Sequence, residues 1–269
     1  MFIHVIGSSG FIGKAIYKKL EGRKNVIFYS SKSKKREKNI FFDINNEKTW
    51  GNIKINPSDK LIFLSWKNLP NYNQTFHITQ NLVDSIKFLN NIISRGISKI
   101  VITGTCYEYG LKNGLLSEDD ETKPINSYGV AKDCLRKTIE SLCKYNKVNF
   151  VWMRIFYAYG EGQNSNSLLP LINKAIKDRK ETFDLSPGDQ LRDFIDISIV
   201  ADYIIKATDS NKASGIYNIG SGQAISIRDF VENFIQSQNS TIKLNFGALP
   251  RNMQEPIAFW ANTKKISSL

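Results

Sequence analysis

Short apolar runs alternate with amphipathic stretches along the first part of the chain. FIHVIG is rich in Ile and Val, and the following SSGFIGKAIYKKLEGR places Ile12, Ile16 and Leu20 at helical spacing. The pattern predicts strand, glycine turn, helix. NVIFYS, DKLIFLSW and ISKIVITGT predict further strands, and TQNLVDSIKFLNNIISRG predicts a helix before the last of them. SYGVAKDCLRKTIESLCKYN predicts a helix entered from the loop around Pro124, and NFVWMRIFYAYG a strand running into a glycine turn. Parallel strands need crossover connections, normally helices, so this order predicts an α/β doubly wound parallel sheet. Beyond it the rhythm loosens. Residues 161–180, 196–208 and 225–237 read as helices, with GIYNIG and TIKLNFG as short strands between them. We read residues 1–155 as a nucleotide-binding domain and 156–269 as a smaller C-terminal α/β substrate lobe, the chain being free to cross between the two.

Composition narrows the classes. With 41% hydrophobic and 23% charged residues the chain can bury a core, unlike a disordered polymer. No apolar run approaches the roughly 20 residues that span a bilayer, and Met1 leads directly into a strand, so we expect a cytoplasmic protein without a membrane partner. Cys106, Cys134 and Cys143 form no CxxC and predict reduced thiols rather than a disulfide framework or zinc site. His4 and His77 are the only histidines; no metal site is expected, and His4, inside an apolar strand, reads as core. The formal net charge of +12 raises nucleic acid as a partner, yet lysines are scattered through NNEK, KIK and KDRK rather than concentrated beside aromatic platforms. That distribution favours a solvated surface and no nucleic-acid partner.

Two constellations carry chemistry. VIGSSGFIG sets Gly7, Gly10 and Gly13 between the first strand and its helix. A turn this tight needs residues without a Cβ, and a helix N-terminus turns free N–H groups toward a pyrophosphate, which points to dinucleotide binding. SYGVAK sets Tyr128 and Lys132 one helical turn apart on the same face. A neighbouring ammonium stabilises a phenolate and lowers the phenol pKa, making the pair a usable general acid or base; the bland alternative is a surface Tyr beside a surface Lys. TGTCYEYG puts Thr105 at the end of a strand, where functional groups of open α/β sheets gather.

The GxxGxxG spacing, Thr105, Tyr128 and Lys132 in that order, with RIFYAYGEGQ, RDFID and GIYNIGSG carrying the likeness through Gly222, resemble the extended short-chain dehydrogenase/reductase family of nucleotide-sugar epimerases, dehydratases and reductases. The resemblance implies a Rossmann-type sheet with Tyr128 as acid/base, Lys132 lowering its pKa and holding the nicotinamide ribose, and Thr105 hydrogen-bonded to the reacting oxygen. It implies cofactor contacts from Gly7, Ser9, Gly10, Phe11, Ile12 and Gly13, from Leu64 and Ser65, and from Asp43 and Ile44, the acid meeting the adenine amino group. A plain solvated Asp43 is the alternative. Relatives commonly dimerise through helices including the one bearing Tyr128, which implies a homodimer.

Dehydratases of this family place an Asp-Glu pair directly after the catalytic hydroxyl residue; here those positions are Cys106 and Tyr107, which argues against 4,6-elimination. Glu108 should face away by strand alternation and serve structure. A 4-ketoreductase and a 4-epimerase remain. In YSSKSKKREK the end of the second strand lacks the acid expected for NAD; Ser30, Ser31, Lys32 and Arg36 suit a 2′-phosphate instead. NADP(H) is therefore expected over NAD(H). The same resemblance, with CYEYG and GALPRNMQEPIAFWAN, points to NADPH-dependent reduction of the C4 ketone of a nucleotide-diphospho-4-keto-6-deoxysugar, in deoxysugar synthesis for bacterial surface glycans. The runner-up is an NAD-dependent nucleotide-sugar 4-epimerase. A non-catalytic cofactor-sensing or RNA-binding module of the same fold is the alternative from another class, opposed by the intact Thr105, Tyr128 and Lys132. The resemblance implies Arg192 and Arg251 as contacts of the substrate diphosphate, since they match positions where the family often binds it and guanidinium forks suit phosphate oxygens; a surface ion pair is the alternative for each. Cys106, Tyr107 and Tyr157 are further substrate candidates, although relatives often carry Asn at position 157. Phe156 and Tyr159 read as core; His77 and Asn81 fall in the helix that relatives use near the cofactor and dimer contact, with an ordinary helix surface as the alternative.

Overall fold

The computed structural model describes residues 1–31, 39–251 and 255–269. Along the first part of the chain run β1 (Ile3–Ile6), α1 (Phe11–Leu20), β2 (Val26–Ser30), β3 (Asn39–Phe41), β4 (Lys60–Phe63), α2 (Val83–Ser94), β5 (Lys99–Thr105), β6 (Gly114–Leu116), α3 (Ser127–Tyr145), β7 (Asn149–Ile155) and β8 (Tyr157–Tyr159). There follow α4 (Leu168–Lys177), β9 (Thr182–Leu185), β10 (Leu191–Arg192), β11 (Phe194–Asp196), α5 (Ile197–Asp209), β12 (Gly215–Ile219), β13 (Ile225–Ser226), α6 (Ile227–Ser237), β14 (Lys243–Phe246), β15 (Phe259–Ala261) and α7 (Lys264–Ser267).

Seven strands form one parallel sheet in the order β12-β7-β5-β4-β1-β2-β3. The apolar runs are unbroken because both faces are covered. Alternate residues part company: Val5, Ile62, Val101 and Val151 pack with Ile16 of α1 and Ile204 of α5. Ile6, Phe63, Ile102 and Trp152 pack on the other face with Phe88 of α2 and Leu135 of α3. The order reverses at β1, which lies between β2 and β4, and a crevice opens there at the carboxyl ends of the strands.

The chain does cross between the two lobes. β12, the GIYNIG segment, returns to the edge of the main sheet beside β7, and α5 covers that sheet, so a cut at residue 155 does not separate the lobes. The smaller lobe is built around Leu169, Ile172, Val231 and Ile235. Nor are all lysines solvated: buried Lys60 donates to the Thr208 carbonyl at 2.8 Å and buried Lys99 to that of Ala207 at 2.6 Å, opposing the negative end of the α5 dipole. His4 is core, its ring between the Tyr29 hydroxyl at 3.0 Å and Asp59 at 3.3 Å.

The helix before β5 begins with a π-helical turn, His77–Leu82, which buries His77 and Asn81. They are not helix surface. Trp66 donates its indole N–H to His77 Nδ1 at 3.1 Å, and the Asn81 amide donates to the Lys67 carbonyl at 2.9 Å. The helix start is thereby tied to the loop leaving β4.

Candidate active site

A cleft of about 680 Å³ runs over the carboxyl ends of the sheet. At one end the glycine turn forms its floor. Gly7 has φ +89°, open to glycine but strained for other residues, and a Cβ there would lie 3.0 Å from the Leu64 carbonyl carbon. A Cβ on Gly13 would lie 2.2 Å from the Gly7 carbonyl oxygen, so the first turn of α1 packs directly on the turn backbone. Gly10 caps α1 without a side chain, and no acid stands in the first helical turn. These amides at the positive end of a helix dipole fit a pyrophosphate. Gly13→Ala is expected to weaken dinucleotide binding by at least about tenfold, read by isothermal titration, because backbone must move to admit the methyl.

Ser9, Phe11, Ile12, Ser30, Ser31, Asp43, Ile44, Leu64 and Ser65 join these glycines in lining the cleft. Lys32 and Arg36 lie outside the described residues. Asp43 accepts from Lys67 Nζ at 3.1 Å, so it carries an ion pair as well as facing the cleft.

Thr105, Tyr128 and Lys132 meet at the other end of the cleft. Thr105 ends β5, and its hydroxyl accepts from the Tyr107 amide at 3.3 Å and bonds Tyr128. Asn126 caps α3 by accepting from the Gly129 amide at 2.8 Å, which sets the turn carrying Tyr128. Lys132 Nζ donates to the Thr103 carbonyl at 2.6 Å. The expected lowering of the phenol pKa by Lys132 does not hold in this arrangement: burial, then the nearby Tyr72, push Tyr128 well above its ordinary value, against the Thr105 hydrogen bond. Burial also pushes Lys132 down to about 7, with Glu108 acting the other way. The shift of Tyr128 is in the direction that favours the neutral phenol, the form that can give a proton.

Glu108 does serve structure, by a route other than strand alternation. Cys106–Tyr109 form a 3₁₀ turn that tucks the fully buried carboxylate under the loop. It accepts from the Thr105 amide at 2.9 Å, from Trp152 Nε1 at 3.0 Å and from Arg154 Nε at 2.8 Å.

A family model described as the NAD dependent epimerase/dehydratase family matches residues 3–220. The chain belongs to that family. A dTDP-6-deoxy-L-talose 4-dehydrogenase (NAD(+)) of Aggregatibacter actinomycetemcomitans is 30% identical, covering 97% of this chain and 99% of the relative. A dTDP-6-deoxy-L-talose 4-dehydrogenase (NAD(P)(+)) of Kitasatospora kifunensis is 23% identical over 87% of this chain and 78% of its own. Among solved structures, a UDP-glucuronic acid 4-epimerase from Bacillus cereus in complex with UDP-glucuronic acid and NAD superposes with a TM-score of 0.82 at 24% identity, covering 100% and 92% of the two chains. That likeness concerns the fold. This member of the epimerase/dehydratase family is a nucleotide-sugar-modifying, NAD(P)-dependent enzyme of Rossmann type.

Cys106, Tyr107 and Tyr157 also line the cleft, whereas Arg192 and Arg251 do not. Arg192 is fully buried, donating to Glu255 at 2.8 Å, and the Tyr157 hydroxyl donates to the same carboxylate at 3.0 Å. The guanidinium therefore sits one layer behind the wall, already matched in charge. Arg251 pairs with Asp189. Phe156 and Tyr159 pack in the core as expected, though Phe156 also borders the cleft. Trp66 and Tyr72 are among the cleft residues that went unread in the sequence. Trp66 follows β4 at the carboxyl end of the sheet, a position that could have flagged it. Tyr72, with its ring 5.6 Å from that of Tyr128, comes from an irregular loop that leaves no periodic signal.

Proposed function

We propose that the enzyme reduces the C4 ketone of a nucleotide-diphospho-4-keto-6-deoxysugar, using NADPH in preference to NADH, and runs the reverse oxidation when product and oxidised cofactor dominate. The observation that carries this reading is a buried Tyr128 hydrogen-bonded to Thr105, with Cys106 and Tyr107, not carboxylates, next along the wall. Elimination needs its own acid and base, and Glu108 is locked to Arg154 and Trp152 beneath the loop. The full-length similarity to a C4 dehydrogenase of a dTDP-linked 6-deoxyhexose supports the same position and sugar class.

A bound nicotinamide would supply the hydride. Tyr128 gives its phenolic proton to O4, and the Thr105 hydroxyl holds that oxygen at the phenol. Lys132, one helical turn on, offsets the negative charge that develops on Tyr128 as the proton leaves.

The test is cofactor oxidation with dTDP- and GDP-linked 4-keto-6-deoxyhexoses, measured with NADPH and NADH. Tightly retained NAD and no net turnover would favour a 4-epimerase. Preference for NADPH rests on the sequence at and after the end of β2, which offers Ser30, Ser31, Lys32 and Arg36 in place of the acid that would repel a 2′-phosphate. Joint replacement of Lys32 and Arg36 by Ala is expected to weaken NADPH binding at least about tenfold while changing NADH binding less than about twofold. Equal losses would remove those side chains from cofactor selection.

A further inference from the structure

The Lys132 ammonium lies between two indole rings. Its Nζ stands 4.2 Å from the ring centroid of Trp66 on the β4 side and 5.6 Å from that of Trp152 in β7. Both distances fall within the range over which an aromatic face attracts a cation. Each indole is fixed by its own N–H. Trp66 donates to His77 Nδ1 at 3.1 Å, and Trp152 donates to both oxygens of Glu108 at 3.0 and 3.1 Å. A donor engaged by a carboxylate pushes electron density into its ring, which strengthens the ring's hold on a cation.

The backbone is cut to fit this arrangement. A Cβ on Gly104 would lie 2.1 Å from Trp152 Nε1 and 2.6 Å from the Glu108 carboxylate, so a glycine there is what lets the indole meet the acid. Lys132 is 2% exposed and bonds the Thr103 carbonyl, leaving the rest of its ammonium to the rings and to whatever occupies the cleft.

We propose that Trp66 and Trp152 form an aromatic clamp that places the Lys132 ammonium and keeps it charged, which makes both tryptophans positioning residues for the Tyr128 and Lys132 pair. The inference rests on the reading of Lys132 as part of the reductase site. The charged and titratable groups acting on the ammonium are Glu108 from the turn after β5 and His77 from the π-helical turn, with Arg154 of β7 paired to Glu108 and Tyr128 one helical turn away on its own helix. Of these Glu108 favours the charge, while burial opposes it and brings Lys132 down to about 7. With burial opposing the charge, a change in ring contact alters how readily the ammonium keeps its proton. Trp66 is the better probe because it is only partly buried, whereas Trp152 is fully so.

The experiment is an NMR titration of the full chain labelled at lysine Cε, the Lys132 resonance being identified by its loss in Lys132→Arg. Trp66→Leu is expected to lower the midpoint by about one pH unit, as removal of a partly desolvated cation–aromatic contact would. Trp66→Phe, which keeps an aromatic face, should shift it by less than half as much. A midpoint unmoved in Trp66→Leu, or moved equally by both, would overturn the clamp. Thermal melts identify folded variants, and Trp66→Met replaces Trp66→Leu in the same comparison if the latter does not fold. The titration needs no substrate, so it stands or falls separately from the reductase assay. A clamp found in an enzyme that fails to reduce 4-keto sugars would leave this inference intact and remove the proposed reaction.

Discussion

Tyr128→Phe is expected to reduce turnover by about a thousandfold or more, with NADPH affinity changed less than about twofold. Loss of a positioned general acid commonly costs 10²–10⁴ in rate, and a factor of a thousand corresponds to about 4 kcal/mol of transition-state stabilisation. The upper part of that range applies because Tyr128 is buried, with neighbouring hydroxyls that are poor stand-ins. Burial pushes Tyr107 well above its ordinary pKa, and its hydroxyl is 3.4 Å from Glu255, away from Thr105. The substitution keeps the ring packed against Trp66, Tyr72 and His77, at centroid distances of 5.9, 5.6 and 5.4 Å, so the fold should be undisturbed. Steady-state rates with a 4-keto sugar nucleotide, beside cofactor titration of the same preparation, make the comparison. Retention of full turnover would take Tyr128 out of the mechanism.

Glu108→Ala should destabilise the fold by about 3–5 kcal/mol, the usual cost of stripping one partner from a buried ion pair. For a chain of this size that is a fall in melting temperature of roughly 10 °C. Three donors lose their acceptor at once: the Thr105 amide, the Trp152 indole and the Arg154 guanidinium, whose side chain is 1% exposed. Arg154 keeps the Tyr109 hydroxyl at 2.9 Å and the Glu118 carbonyl at 3.3 Å, neither of which carries the opposing charge. Glu108→Gln should lose less, since its amide oxygen still accepts. Denaturant unfolding of both variants gives the numbers; a loss below about 1 kcal/mol for the alanine variant would mean that Arg154 finds another partner or water. Because Glu108 also holds the Thr105 amide, the alanine variant should lose turnover as well as stability.

Much of this was legible along the chain, for identifiable reasons. Ile12, Ile16 and Leu20 repeat at helical spacing because only one face of α1 meets the sheet, and that periodicity survives in the sequence. Gly7 and Gly13 are readable because each is required by backbone approach, a local constraint that no other residue type meets. Tyr128 and Lys132 share a helix face, so sequence spacing alone brings them together. Cys106 and Tyr107 are informative for what they are not. What the sequence left open shares a cause. GIYNIG looks the same whether it edges the main sheet or stands in a small lobe, and only its pairing with β7 decides which. Arg192 and Arg251 show a charge in sequence but not their partners, Glu255 and Asp189, which are 63 and 62 residues away.

The alternation of strands and helices along the first part of the chain, the glycine turn and the Tyr128–Lys132 spacing were legible in the sequence, since each depends on local periodicity or backbone geometry. Tertiary structure alone decided the surroundings of those groups. Burial pushes the Tyr128 phenol above its ordinary pKa, and Lys132 meets the rings of Trp66, 66 residues earlier in the chain, and Trp152, in a strand beyond its own helix. Desolvation and ring contacts depend on which distant segments pack together, and local pattern carries no record of that.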